Sequence, residues 1–223
     1  MRQPPLELVP DGTAGAQRVA VLEAPGRLAV RSARVPEAGP HEVRVRITYV
    51  GICGSDLEAF RGSRDAEAFS TPARLGHEVA GVLDQVGSAV VGLAVGDRVT
   101  CRYVWGAFAE RIVCLPFNVK RMPPSFPMRE ISLVEVLPGI LHAAGLARIT
   151  PHTTVLITGQ GVSGLVITQV MRLFSPRVLA VTDLKPENLA LAKRYGATHR
   201  YLVPSEHTPT PAVVGADFPD GFE

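Results

Sequence analysis

Four side chains among the first 135 residues could together hold a metal ion: the thiol of Cys53, the imidazole of His77 and the carboxyls of Glu78 and Glu135. One soft thiolate, one imidazole and carboxylates form a donor set that suits zinc, with one coordination position left open for a substrate. Cys53 stands in "GICGSDLEAF" with Ser55 and Asp56, just after a strand-like segment, and His77 and Glu78 stand in "LGHEVAGVLDQVG" among glycines and small apolar residues. Neighbours on an extended chain point to opposite sides. His77 is therefore expected to face the metal, and Glu78 to stand behind it as an orienting or exchanging carboxylate.

A second chemistry lies in "TGQGVSGL", where Gly159, Gly161 and Gly164 make G-x-G-x-x-G. The first glycine permits a tight turn, the second lets backbone approach a pyrophosphate, and the third lets helix and strand pack closely. A helix opening at Val162 would turn its free N–H groups and partial positive charge toward the phosphates. Asp183 follows Gly164 by nineteen residues, at the end of the next strand-like segment. Its carboxylate can accept both hydroxyls of an adenosine ribose and would repel a 2′-phosphate, which favours NAD over NADP, although Lys185 nearby could soften that repulsion.

The elements that must position these residues fall into two patterns. From about residue 17 to 120, short apolar segments alternate with turn signals: "RVAVLEA", "LAVRSARV", "EVRVRITYVGI", "EVAGVLDQVG", "DRVTCRYV" and "AERIVCL". Val43, Val45, Ile47 and Tyr49 have the period of a strand with one buried face. "MPPSFP" interrupts this pattern, and "REISLVEVLPGILHAAGLARI" then predicts a linker helix, with Pro138 as a kink or boundary. From residue 153 the order is strand "TTVLITG", helix "VSGLVITQVMRLF", strand "RVLAVTD", helix "KPENLALAKRYG" and strand "THRYLV". Such β-α-β-α-β alternation implies a parallel sheet with right-handed crossovers, the first half of a doubly wound nucleotide-binding fold.

Composition narrows the functions. Lys and Arg total 23 against 21 Asp and Glu, and no basic block stands anywhere, so nucleic acid is not an implied partner. Apolar runs fall well short of the roughly 18 residues that span a bilayer, and the start lacks a signal-peptide core, so a cytoplasmic protein with no membrane partner is expected. Three cysteines, at 53, 101 and 114, with no C-x-x-C spacing suggest neither a disulfide framework nor a zinc ribbon.

"GICGSDL", "GHEVAGVLDQVGSAV", "GDRV", "GAFAE", "LVEVL" and "TGQGVSG" occur here in the order found in the zinc-dependent medium-chain alcohol and polyol dehydrogenases, and the chain resembles that family from about residue 17 onward. The resemblance implies an α/β protein: a β-rich GroES-like catalytic domain with its linker helix over residues 1–150, then a partial Rossmann domain over 151–223. Cys53 and His77 match two zinc ligands, and Glu135 resembles the third-ligand glutamate of the sorbitol and threonine dehydrogenase branch. Glu78 matches a carboxylate behind the ligands, Asp56 the carboxylate that orients the ligand histidine, and Ser55 the hydroxyl through which the alcohol loses its proton. Gly159, Gly161, Val162, Gly164 and Asp183 fall at the cofactor-binding positions. The implied activity is hydride transfer between a secondary alcohol of a polyol, sugar or amino alcohol and NAD, with one catalytic zinc.

The sequence departs from the family in four places. "TCRYVW" stands where most members carry a four-cysteine lobe, so no structural zinc is expected and Cys101 and Cys114 read as strand residues. Glu58 occupies a position where relatives often place a histidine of the proton relay, and "LVEVL" has valine where "EPL" is usual. The sequence stops at "ADFPDGFE", where relatives begin the fourth strand of the nucleotide domain. That leaves a second expectation, a non-catalytic zinc- and nucleotide-binding remnant, or one part of a split enzyme whose partner chain or homo-oligomer supplies the rest. A metal-free quinone or enoyl reductase on the same fold is disfavoured, because such relatives lack the Cys53 and His77 ligands.

Overall fold

Valines at alternate positions let one strand line a core on one face, and the first unit of the chain is assembled from such strands. In the computed structural model, which describes residues 6–64, 74–219 and 221–222, β1 (Ala16–Ala24) and β2 (Arg27–Arg34) pair antiparallel. Strands β3 (Val43–Gly51), β4 (Glu78–Val86), β5 (Arg98–Cys101), β6 (Arg111–Cys114) and β7 (Val119–Arg121) form an antiparallel sheet in the order β6-β3-β4-β5-β7. Val43, Val45, Val79, Leu83, Val99, Cys101, Ile112 and Cys114 share one buried core.

The expected alternation on β3 holds for Val43, Val45 and Ile47 and then breaks. Tyr49 is 45% exposed, whereas Val50 packs against the core. The cause is a register shift between Ile47 and Tyr49 against β4, an inserted residue that reverses which side chains face inward. The shift also sets Gly51 opposite Glu78.

Two features fix these strands side by side. Asp84 on β4 accepts hydrogen bonds from Arg44 Nε of β3 at 2.8 Å and Arg111 Nε of β6 at 2.9 Å. Burial pushes its carboxyl up, but the two guanidinium groups outweigh that and hold it below the usual carboxylate range. Gly81 provides clearance: a Cβ there would lie 2.5 Å from the Arg46 carbonyl oxygen and 2.6 Å from a Val45 methyl.

Contacts divide the chain into Met1–Glu135 and Val136–Glu223. The segment expected as one linker helix is three short pieces: α2 (Met128–Ile131), a 3-10 turn over Ser132–Val136, and α3 (Leu137–Leu146) with Pro138 in its first turn. Proline lacks an N–H to donate and is tolerated at a helix start, so it begins α3 instead of bending a longer helix. The expected domain boundary lay at 150; α3 instead packs Ile140 and Ala144 into the core of the second unit.

That unit has the expected β-α-β-α-β order: β8 (Thr154–Thr158), α4 (Val162–Arg172), β9 (Val178–Asp183), α5 (Pro186–Arg194) and β10 (His199–Leu202), followed by α6 (Thr210–Val214). The three strands are parallel in the order β10-β9-β8. Among the described residues no helix is long and apolar enough to cross a membrane.

Gly81→Ala forces a methyl group against the β3 backbone, which cannot yield as a flexible side chain can. A loss of about 1–3 kcal/mol of stability is expected, read as a lowered denaturant midpoint.

Candidate functional site

The residue types that could hold a metal are brought together where β3 ends and β4 begins. Cys53 caps α1 (Gly54–Arg61), whose first turn carries Asp56 and last turn Arg61, both suited to the helix dipole. Gly62, in the left-handed region at φ 79°, closes the helix. Asp56 is 3% exposed, and its two oxygens bond in different directions. Oδ2 accepts the Cys53 N–H and Oδ1 the Gly76 N–H, each at 2.9 Å. The start of α1 is thereby tied to the approach of β4.

Gly76 has φ 88°, and a Cβ there would lie 2.6 Å from the Phe108 ring, so this approach is irregular backbone open to glycine. His77 follows, 8% exposed, with its ring 4.4 Å from that of Trp105. Its Nδ1 lies 3.7 Å from Asp56 Oδ1, too long for a hydrogen bond, and is a buried polar atom without a hydrogen-bond partner. Glu78 opens β4 opposite Gly51, and its side chain folds across that residue: a Cβ at 51 would lie 1.9 Å from Oε2.

Among the described residues the group that converges is Cys53, His77 and Glu78, whose ligand atoms all lie within 4.8 Å of one another. Glu78, expected behind His77, stands within this group because the chain around Gly76 is not an extended strand and because Gly51 leaves its side chain a path. Glu135, expected as the third ligand, lies in the 3-10 turn outside the group. It is close enough that its carboxyl, raised by burial and by the Glu78 charge, is drawn partly back by His77 and Arg102. Ser55 lies half-buried in the first turn of α1. Cys101 and Cys114 sit apart from this group as buried strand residues in the core, and contact with the Cys114 thiol together with burial raises the Cys101 pKa.

Trp105, Gly51 and Arg102 were not singled out as functional by sequence reasoning. The one available signal is that "TCRYVW" carries the only tryptophan of the sequence, whose ring lies 4.4 Å from that of His77.

A thiol, an imidazole and a carboxylate whose ligand atoms all lie within 4.8 Å of one another are a donor set that fits a zinc-type ion. Burial pushes the His77 pKa down, but Asp56 and Cys53 beside it raise it to about 9 from an ordinary 6.5. The Asp56 carboxyl is raised by burial, yet His77 and the N–H groups of Gly76 and Cys53 leave it lowered overall.

The nucleotide-type loop is equally specific. Gly159, at φ 80°, ends β8, Gly161 caps α4, and a Cβ on Gly164 would lie 1.9 Å from the Gly159 carbonyl oxygen. Asp183 Oδ2 accepts the Gln160 N–H, while Oδ1 accepts the Lys185 N–H at 2.7 Å and the Asn188 side-chain amide at 3.2 Å. Gln160, fully buried, donates to the Gly159 carbonyl and accepts from Thr168. Gly159, Gly161, Asp183, Lys185 and Asn188 line one cavity of about 510 Å³. Val162, in the first turn of α4, is 55% exposed.

Three outcomes are expected. In the metal-free chain, the stability contributed by protonated His77 is complete below about pH 6.5 and lost as pH rises through about 9, so the denaturant midpoint falls on the alkaline side. Zinc must displace that proton, so calorimetry near neutral pH should show buffer-dependent heats. Gly51→Ala displaces the Glu78 carboxylate while leaving the strand pair in place, so zinc affinity is expected to drop roughly 10–100-fold with little change in melting temperature.

Comparison with known proteins places these features in a family. A sequence model of the alcohol dehydrogenase GroES-like domain matches residues 39–123. The sorbitol dehydrogenase of Bacillus subtilis (strain 168) is 33% identical over 211 residues, covering 82% of this chain and 60% of that protein. The solved galactitol-1-phosphate dehydrogenase from Escherichia coli superposes with a TM-score of 0.78 at 29% identity, covering 91% of this chain and 65% of that one. An alcohol dehydrogenase from E. coli CFT073, complexed with NADH, gives a TM-score of 0.79 at 26% identity over 93% of this chain and 66% of that one. The chain spans between 52% and 62% of the length of the curated relatives it matches. With its strand-built unit, its thiol, imidazole and carboxylate group and its glycine loop, the chain belongs to the zinc-dependent medium-chain alcohol and polyol dehydrogenase family.

Proposed function

We propose that this chain carries the metal centre and the adenosine-binding half of an NAD-dependent oxidoreductase that acts on a secondary alcohol of a polyol, sugar or amino alcohol. The observation that carries this reading is the convergence of Cys53, His77 and Glu78 within 4.8 Å. One catalytic zinc is held there by Cys53, His77 and a carboxylate, and when bound it supplies Lewis acidity that lowers the pKa of an alcohol so that hydride can leave toward a nicotinamide.

The chain's own residues do the rest of the work assigned to this half. His77 keeps Nδ1 toward Asp56, which leaves Nε2 for the metal. Glu78 and Glu135 offer the remaining carboxylates, with Glu78 supported by its place in the convergent group and Glu135 by its charge coupling to that group. Ser55, in the same helical turn as Asp56, is the hydroxyl that passes the alcohol proton outward. Trp105 covers one face of the His77 ring and limits water there. In the second unit, the Gly159–Gly164 turn receives the pyrophosphate, and Asp183 accepts the ribose hydroxyls with lone pairs left after its three hydrogen bonds. No further zinc is assigned, because Cys101 and Cys114 are committed to the strand core.

Zinc content and NADH formation across a polyol panel test the reading together. One zinc per chain is expected, lost in Cys53→Ala; stoichiometric zinc retained in that variant would refute the ligand set, and a wild-type chain that takes up no zinc would refute the centre itself.

A further inference from the structure

Gln160 is fully buried although it ends in an amide, and both polar atoms of that amide are bonded. Its Nε2 donates to the Gly159 carbonyl at 3.0 Å, and its Oε1 accepts from Thr168 Oγ1 at 2.9 Å. A carbonyl can only accept, so the amide nitrogen must face Gly159 and the amide oxygen must face Thr168. Thr168, fully buried in α4, also lies 2.9 Å from the Gly164 carbonyl. A hydroxyl has one proton to give. The Gly164 carbonyl has the helical N–H of residue 168 as a donor, whereas a buried amide oxygen left without a donor costs free energy, so the proton belongs to Gln160.

The Gly159–Gln160 peptide is therefore gripped at both ends. The Gln160 side chain holds its carbonyl, and its N–H donates to Asp183 Oδ2 at the end of β9. The C=O and N–H of one trans peptide point opposite ways in a common plane, so fixing one end fixes the direction of the other. Gly159 makes the turn at φ 80°, with its own N–H on the Thr182 carbonyl at 2.8 Å. Space enforces the same arrangement: a Cβ on Gly164 would lie 1.9 Å from the Gly159 carbonyl oxygen and 3.3 Å from Gln160 Nε2.

A path of hydrogen bonds thus runs from α4 through Thr168, the Gln160 amide and the 159–160 peptide to one oxygen of Asp183. The other oxygen is held separately by the Lys185 N–H and the Asn188 amide. Held on both oxygens, the carboxylate presents one orientation to the cavity it lines.

We propose that Gln160 is a positioning residue that fixes the Asp183 carboxylate through the 159–160 peptide and so sets the choice between a ribose 2′-hydroxyl and a 2′-phosphate. The inference rests on reading this cavity as the adenosine site. A carboxylate fixed at the ribose accepts its hydroxyls and repels a phosphate there. Released on one side it can turn away, which weakens the first interaction and relieves the second.

ADP-ribose and 2′-phospho-ADP-ribose are titrated calorimetrically into the full chain, and circular dichroism checks that each variant is folded. The wild-type chain is expected to favour ADP-ribose by about tenfold or more. Gln160→Met, of similar length but without the amide, is expected to narrow that preference about three- to tenfold. Thr168→Val narrows it in the same direction, and Thr168→Ser, which keeps the hydroxyl, restores it; these two carry the test where Gln160→Met does not fold. In an Asp183→Ser background Gln160→Met leaves the preference unchanged, because its effect passes through the carboxylate. An unmoved preference in Gln160→Met and Thr168→Val, whatever their loss of thermal stability, would overturn the proposal, and so would the same narrowing in the Asp183→Ser background. A wild-type chain that binds neither ligand overturns the adenosine-site reading and this inference with it, whereas ADP-ribose binding with an unmoved preference sinks this inference alone.

Discussion

The Asp56 carboxylate is the constraint on which the metal-ligand group depends. A buried carboxylate is tolerated when its oxygens are hydrogen-bonded, and the donors here come from two places in the chain: the Cys53 N–H at the start of α1 and the Gly76 N–H before β4. Meeting that demand holds the thiol of Cys53 and the ring of His77 at one point. The same carboxylate then acts on His77 by charge, which is why a ring that burial alone would keep neutral holds its proton to about pH 9 without a metal. One group therefore sets both the position of Cys53 and His77 and the proton that His77 holds.

Absent side chains matter as much as those present. Gly51 gives the Glu78 carboxylate its path into the group, Gly81 lets β4 lie against β3, and Gly164 lets α4 begin close against the Gly159 carbonyl. In each case the close approach rather than chain flexibility requires glycine, since none of the three has positive φ. The family motifs are thus spatial statements. "GHEVAG" pairs His77 and Glu78 with the clearance that lets their strand fit, and "GQGVSG" pairs a glycine loop with the clearance that lets its helix start.

In the second unit Asp183 has a structural task beside its expected one. It accepts the N–H of Gln160 from the glycine loop and that of Lys185 before α5, so the acidic position and the loop are one hydrogen-bonded unit. Their spacing in sequence follows from β9 lying next to β8 in the parallel sheet. Loop and carboxylate line the same cavity because this bond holds them there.

Much of this was legible from residue types and period. The alternating valines of β3, the β-α-β-α-β order, the glycine loop with Asp183, and the thiol and imidazole at Cys53 and His77 all follow from local chemistry, because strand period, helix period and turn preference act over a few residues. What the sequence left open depends on pairing between distant segments. The bulge on β3 sends Tyr49 outward and sets Gly51 against Glu78; no local pattern encodes it, since it arises from the register with β4. The approach of Glu78 to within 4.8 Å of Cys53 and His77, the commitment of α3 to the second core, and the placing of Trp105 beside His77 likewise arise from long-range contact. The sequence by itself determined the donors and the elements that carry them; only the tertiary structure decided which donors meet, because convergence is a property of registers and clearances between strands and not of any one segment.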